Sequence, residues 1–341
     1  MTVEDATYSR DTEYINILRP AACFAVIAFH VFHFIYAFSL QFLTEMEAYF
    51  CDVLRNAWAW NVPTFFMISG VIFLNPQKQF SIHKLLTKYV FRLVLALFVF
   101  GVPYAFIEIL FEANYKFNFD QIGLSVLNTI QGKTWDHIWF LYSMIGLYLL
   151  LPLFKTFVSN VGKEAFIYIL SVLFIFACLI PAAESISSLK SGFSIPINSI
   201  YVFYFLLGHY IHKYNVTLSN KILAGMGLLY VVYIMVLPLF PCLKKADAVG
   251  GGGVISTITV FCFARQNLKS NAIFNFISPL CFGAYLIHML FLNFFYRILK
   301  FTPEKYSVPL TAAVLIIAVS FLSAASSFLA RKIKILREHL L

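Results

Sequence analysis

Long apolar runs with almost no charge recur from one end of the chain to the other, and they decide what it can fold into. Ten are present, at 15–40, 57–74, 89–110, 138–154, 165–182, 196–212, 222–240, 250–264, 274–297 and 307–330. Crossing a hydrocarbon core of ~30 Å takes about 20 helical residues. No water meets the backbone there, so a spanning segment must satisfy its own N–H and C=O groups. A chain that is 61% hydrophobic and 12% charged, with a mean hydropathy of +0.81, is no soluble domain. The expected fold is an all-α integral membrane protein of about ten transmembrane helices.

An even number of spans puts both termini on one side, and the basic residues orient them. With the termini cytoplasmic, 16 of the 25 lysines and arginines fall inside and 9 outside, in agreement with the positive-inside rule. The net charge of +9 is then spread over short loops beside anionic head groups. Membrane lipid rather than nucleic acid is the expected partner. Residues 1–14 are polar and acidic, without a basic n-region or a small-residue cleavage site, and read as a retained cytosolic segment. Residues 331–341 read as a basic cytosolic tail. No linker or low-complexity tract interrupts the spans, so 1–341 reads as a single polytopic membrane domain.

The six cysteines are scattered singly, without metal-ligand spacing, and no metal is expected. Cys51 and Cys242 fall in predicted outer loops, where structural filler and a disulfide are the two readings. The outer segment 111–136 carries an amphipathic pattern (Ile122, Leu124, Val126, Leu127, Ile130) that predicts a helix resting on the membrane surface, placed to roof an outward-facing site. The basic inner linker 75–88 suits contact with phosphate or lipid. The glycines at 250–253 read as packing or flexibility.

Arg19 and His30, with His33, are the strongly polar side chains of the first run. Eleven helical residues advance ~16 Å and leave a rotation of only ~20°, so the guanidinium and imidazole share a face. Arg19 would lie near one membrane surface and His30 deep in the bilayer, where an ionisable group is a functional-site hypothesis by default. An imidazole kept neutral by desolvation can accept a hydroxyl proton as a general base. A guanidinium can bind phosphate bidentately. Each residue also has a plain reading, His30 as a hydrogen-bonded core histidine and Arg19 as an inner-leaflet anchor. Together they suit a nucleotide-headed acyl carrier that leaves its phosphates at Arg19 and presents its thioester near His30. His33, one turn further, is a candidate assistant, and Arg92 is a second phosphate ligand or a topological anchor.

Five fragments in order resemble the bacterial acyltransferase 3 membrane proteins, which O-acylate glycans and other acceptors. They are the Arg19-to-His30 spacing within INILRPAACFAVIAFH, NVPTFFMISGVIFL at 61–74, HIWFLYSMIGLYLLLPL at 137–153, FYFLLGHYI at 203–211 and CFGAYLIHMLF at 281–291. The match spans most of the chain. It departs at Pro20, where the family commonly has glycine. No appended extracellular hydrolase-like domain follows, as in the short stand-alone members that acetylate surface sugars. The resemblance implies that His137 binds the acceptor or handles a proton, with Asp136 orienting an imidazole or a sugar hydroxyl. Trp139 belongs to the same motif and to an aromatic belt. Glu108 is an interfacial residue or a pKa partner, and His288 lies inside the ninth span, with packing and function both open. Asn61, Ser69, Tyr142 and Tyr285 are expected to hydrogen-bond between helices.

The resemblance and the polar pair together imply an O-acetyltransferase of the bacterial cytoplasmic (inner) membrane. It would carry acetyl from cytosolic acetyl-CoA to a hydroxyl of a surface glycan or its lipid-linked precursor. His30, His137 and Asp136 are the catalytic candidates. Arg19, Arg92 and His33 would hold the donor, and Glu108, Trp139 and His288 the acceptor. An acyl-His30 intermediate stays open, as does assembly into a homo-oligomer. The rival is a transporter or flippase, commonly built from repeated halves that this sequence does not display.

Overall fold

The computed structural model describes residues 12–79, 81–114, 116–187, 189–197, 199–240, 242–244 and 253–341. Among these residues every regular element is a helix. In chain order the principal ones are α1 (Tyr14–Ser39), α2 (Glu45–Ala57), α3 (Asn61–Phe73), α4 (Ile82–Glu112), α5 (Asp120–Ile130), α6 (Trp139–Leu149), α7 (Leu151–Asn160), α8 (Lys163–Ser187), α9 (Ile200–Lys213), α10 (Asn220–Leu239), α11 (Gly253–Asn267), α12 (Ala272–Ile298), α13 (Val308–Lys332) and α14 (Lys334–His339).

Among the described residues, six helices (α1, α4, α8, α10, α12 and α13) are long and apolar enough to cross a membrane. The pair α6 and α7, bent by 56°, makes a seventh if taken as one broken span. The protein is thus a multi-pass membrane protein. The runs at 57–74, 196–212 and 250–264, expected as spans, form described helices of only 13, 14 and 15 residues. At 1.5 Å per residue these reach about 20–22 Å, less than the hydrocarbon thickness. A short apolar helix is stable where it packs against protein, and α3 and α9 do that.

The chain divides into two compact units. The first holds Met1–Lys78, Lys155–Pro279 and Phe301–Ile316. Its centre is the crossing of α3 and α9 at two glycines. A Cβ built on Gly70 would stand 1.8 Å from the Phe205 carbonyl oxygen, and one on Gly208 would stand 2.3 Å from that of Met67. Only hydrogen fits at either place. Phe66, Met67 and Phe205 are wholly buried around the crossing, and Phe66 stacks on Tyr201 with centroids 4.8 Å apart. Ala22, Ala25 and Ala28 of α1 are also completely buried, as expected where small side chains let membrane helices approach. Pro20 does not interrupt α1, which runs unbroken from Tyr14 to Ser39. The entry to α2 is fixed by a capping box: Thr44 Oγ1 accepts from Glu47 N at 3.3 Å, and Glu47 Oε2 accepts from Thr44 N at 2.9 Å.

The second unit holds Gln79–Phe154, Leu280–Lys300 and Ile317–Leu341. Here α5 forms the amphipathic helix expected of this segment, with its apolar residues outward. Ser125 and Thr129 are completely buried, while Ile122, Leu124, Val126, Leu127 and Ile130 are exposed. Thr129 packs on Gly101 of α4, where an added Cβ would come within 2.8 Å of its methyl. The hydroxyls bond to carbonyls one turn back, Ser125 to Gln121 at 2.6 Å and Thr129 to Ser125 at 2.8 Å. A helix with its small polar side inward and its apolar side outward suits contact with acyl chains at a membrane surface.

Among the described residues no cysteine forms a disulfide; Cys51 is buried and Cys242 exposed. Burial pushes the Cys51 thiol up to about 11. The glycines at 250–252 and the segment 1–11 lie outside the described residues.

Candidate functional site

In the first unit, Arg19, His30 and His33 all lie on α1 and are all half-buried. Because Pro20 leaves the helix unbroken, the ~16 Å rise and ~20° offset between Arg19 and His30 hold. Phe29 lies against both imidazoles: its ring meets His30 edge-on at 5.4 Å and stacks on His33 at 6.1 Å. Asn61, at the start of α3, donates from Nδ2 to the Ala25 carbonyl at 3.4 Å, the interhelical bond expected of it.

A charge cluster that the sequence did not disclose sits on the neighbouring helix. Asp52 of α2 is buried and receives Arg55 and Lys244, each at 2.6 Å. Both cations also lie over the Tyr36 ring of α1, at 5.4 and 5.9 Å. The only sequence hint was an acid among apolar residues. His209 was also passed over, although it stands in the matched fragment FYFLLGHYI. It is 2% exposed and stacks near Phe166 at 6.3 Å. Neither of its ring nitrogens has a hydrogen-bond partner among the described residues.

The second unit brings His137 and His288 together, with ring centroids 5.0 Å apart. Both are essentially fully buried. His137 Nε2 faces the Leu286 carbonyl at 3.2 Å, and His288 Nδ1 faces the Tyr285 carbonyl at 2.6 Å. A carbonyl oxygen only accepts, so each contact places the proton on the facing nitrogen. The basic nitrogens are then His137 Nδ1 and His288 Nε2. Tyr285 clamps the pair by donating its hydroxyl to the His137 carbonyl. Tyr104 donates to the same Leu286 carbonyl at 2.7 Å.

Glu108 joins this cluster through aromatic residues. It accepts from Trp135 Nε1 at 2.9 Å and pairs with Arg297 at 2.8 Å. Trp135 stacks on Tyr104 at 4.3 Å, and Tyr104 meets His137 at 5.5 Å. Arg297 could have been anticipated, since a lone cation closing an apolar run calls for an acid. Asp136 and Trp139 are exposed, and Trp139 meets Phe140 edge-on at 6.4 Å. The His137 ring is therefore oriented by a backbone carbonyl and not by Asp136. Arg92 donates from Nε to the Leu340 carbonyl at 3.2 Å and lies over Phe282 at 5.4 Å. Tyr142 donates to the Thr129 carbonyl, whereas Ser69 makes no hydrogen bond through its hydroxyl. Among the described residues no group of three histidines, cysteines or carboxylates is placed to hold a metal ion.

A family model described as an acyltransferase domain, Acyl_transf_3, matches residues 12–330. Comparison with curated proteins and with solved structures finds no match.

Proposed function

From the premise that the chain belongs to the acyltransferase 3 family, we infer that it is an O-acetyltransferase of the bacterial cytoplasmic membrane. It transfers acetyl from cytosolic acetyl-CoA to a hydroxyl of a surface glycan or its lipid-linked precursor. The observation that carries this reading is the unbroken course of α1 through Pro20, which keeps Arg19 and His30 on one face. Arg19 holds a phosphate of the donor. His30 takes the proton of the acceptor hydroxyl. The freed oxygen bonds to the acyl carbonyl carbon, the carbon–sulfur bond breaks, and the imidazolium returns the proton to the departing sulfur. An ester and a free thiol result. Within the second unit, His137 and His288 are the candidates to meet the acceptor, with Glu108, Arg297 and Trp135 fixing the aromatic residues around them.

Membrane vesicles given radiolabelled acetyl-CoA test the proposal. Label should pass to glycan or lipid-linked acceptor with the parent chain, and fall by a factor of about 100 or more with His30→Ala, in line with loss of a general base. Transfer unchanged by both Arg19→Ala and His30→Ala would overturn it. A transporter or flippase would leave the acceptor without covalent label.

A further inference from the structure

We propose that a cavity in the first unit, at the C-terminal ends of α9 and α11 beside the start of α1, binds the phosphates of the acyl donor's nucleotide head. This rests on the acyl-donor reading above and adds a site remote in sequence from Arg19. The cavity has a volume of about 730 Å³ and is lined by ten residues, of which Leu268 is the one aliphatic side chain. Its size lies within the ~300–1,000 Å³ of small-molecule sites.

The charge of the lining is what selects the ligand. Lys213, Arg265 and Lys269 face a single carboxylate, Glu13, so the formal balance is +2 before His212 is counted. Two helix C-termini and one N-terminus subtract a net charge of roughly one half. About +1.5 remains, and an anion is needed to balance it. The cations are held without being neutralised. Arg265 donates to the Val216 carbonyl at 2.9 Å and to the Asn215 side-chain oxygen, and Lys213 donates to the Val158 carbonyl at 2.7 Å. All of these acceptors are neutral. Lys269 is exposed and has no partner among the described residues.

The walls are also fixed in advance. Gln266 accepts from Leu218 N and donates to its carbonyl, both at 2.8 Å, which ties the 214–218 loop to α11. Tyr14 stands with its hydroxyl 3.5 Å from His212 Nδ1 and its ring edge-on to Phe261 at 5.7 Å. Amide and aromatic groups beside three cations suit a phosphorylated nucleoside. A phospholipid would also carry acyl chains, for which this mostly polar lining offers little apolar wall.

The test is titration calorimetry of the purified full-length chain in detergent with adenosine 3′,5′-bisphosphate. Lys269→Ala removes a partnerless exposed side chain, so it should keep the parent melting temperature while weakening binding roughly five- to tenfold, the scale of one charge-assisted contact. Lys213→Ala combined with it should weaken binding further, and raising the salt should weaken parent binding. Binding unchanged in both variants overturns the site. So does tighter, Lys269-dependent binding of phosphatidylglycerol in place of the bisphosphate. Bisphosphate binding with the stated dependence but no acyl transfer would leave this site standing while the catalytic reading fails. Transfer whose KM for acetyl-CoA ignores Lys269→Ala and the double variant would do the reverse.

Discussion

The crossing of α3 and α9 gives the sharpest test of the fold, because backbone meets backbone there. Replacing Gly70 by alanine would put a methyl 1.8 Å from the Phe205 carbonyl oxygen, while ordinary contact begins at 3.4 Å. The helices must then separate by about 1.6 Å at that point. The Gly208→Ala methyl meets the Met67 carbonyl oxygen at 2.3 Å, with the Met67 Cα at 2.5 Å and carbonyl carbon at 2.7 Å. No side-chain rotation relieves either clash. A gap of ~0.5–1 Å already forfeits a quarter to a half of the dispersion between facing atoms, and Phe66, Met67 and Phe205 all depend on this contact. Each variant should lose about 3 kcal/mol, the upper end for overpacking a core. In thermal unfolding of the purified protein in detergent this corresponds to a drop of about 5 °C or more. The internal control is Gly146→Ala, where nothing lies within 4 Å of the new methyl. That change should be neutral or stabilise by up to about 1 kcal/mol through helix propensity. The double variant should cost less than the sum, since one separation relieves both clashes. Gly70→Ala and Gly208→Ala unfolding at or above the parent temperature would refute the crossing.

Asp52→Ala leaves Arg55 and Lys244 without their shared carboxylate. Side-chain exposures of 24% and 37% let those cations rehydrate, so the loss should be about 1–3 kcal/mol rather than the 3–5 of a fully buried pair; a shift under half a kcal/mol in the same unfolding assay would show the cluster to be incidental. His209→Phe should raise the melting temperature by removing a buried polar ring without hydrogen-bond partners, a group whose burial costs about 1–3 kcal/mol, and a fall would mean that the ring is satisfied in the folded protein. The backbone and side-chain bonds from Thr44 hold the Glu47 carboxyl below its ordinary value of 4.5. A carboxylate whose pKa is depressed on folding stabilises at pH above that value and loses the contribution as pH falls through the lower folded one. The Glu47→Gln difference in stability should therefore be present at pH 6 and shrink only below about 4.5, and a difference already gone at pH 6 would contradict the capping box.

How much of this was legible in the sequence depends on which solvent each residue meets. Hydropathy identified the class of fold, because lipid permits few alternatives to a self-bonded helix. It could not fix helix ends: the runs at α3 and α9 are as apolar as the six long helices, and their termination after 13 and 14 residues is what separates them. The rotation between Arg19 and His30 needed nothing but helix geometry, and it survived Pro20. The ordered fragments singled out His137 and His288 separately, but no local pattern announces contact between residues so far apart. For the same reason the pairing of Asp52 with Lys244 was invisible, since the two lie in distant segments, whereas the lone cation Arg297 announced the need for an acid but not which one.

The α5 helix shows where the logic of sequence reading itself forks. An amphipathic pattern states that two faces differ and not which one turns outward. Against water the apolar face would be buried, whereas against lipid the residues that gain from burial are those with hydroxyls to satisfy and little volume to accommodate. Ser125 and Thr129 satisfy their hydroxyls on their own helix, and Thr129 presents a small surface to Gly101, so turning them inward costs little and exposes five aliphatic side chains to acyl chains. The same reasoning separates the two histidine settings. His137 and His288 are enclosed and held by carbonyls that fix their tautomers, whereas His30, on the Arg19 face, is only half-buried.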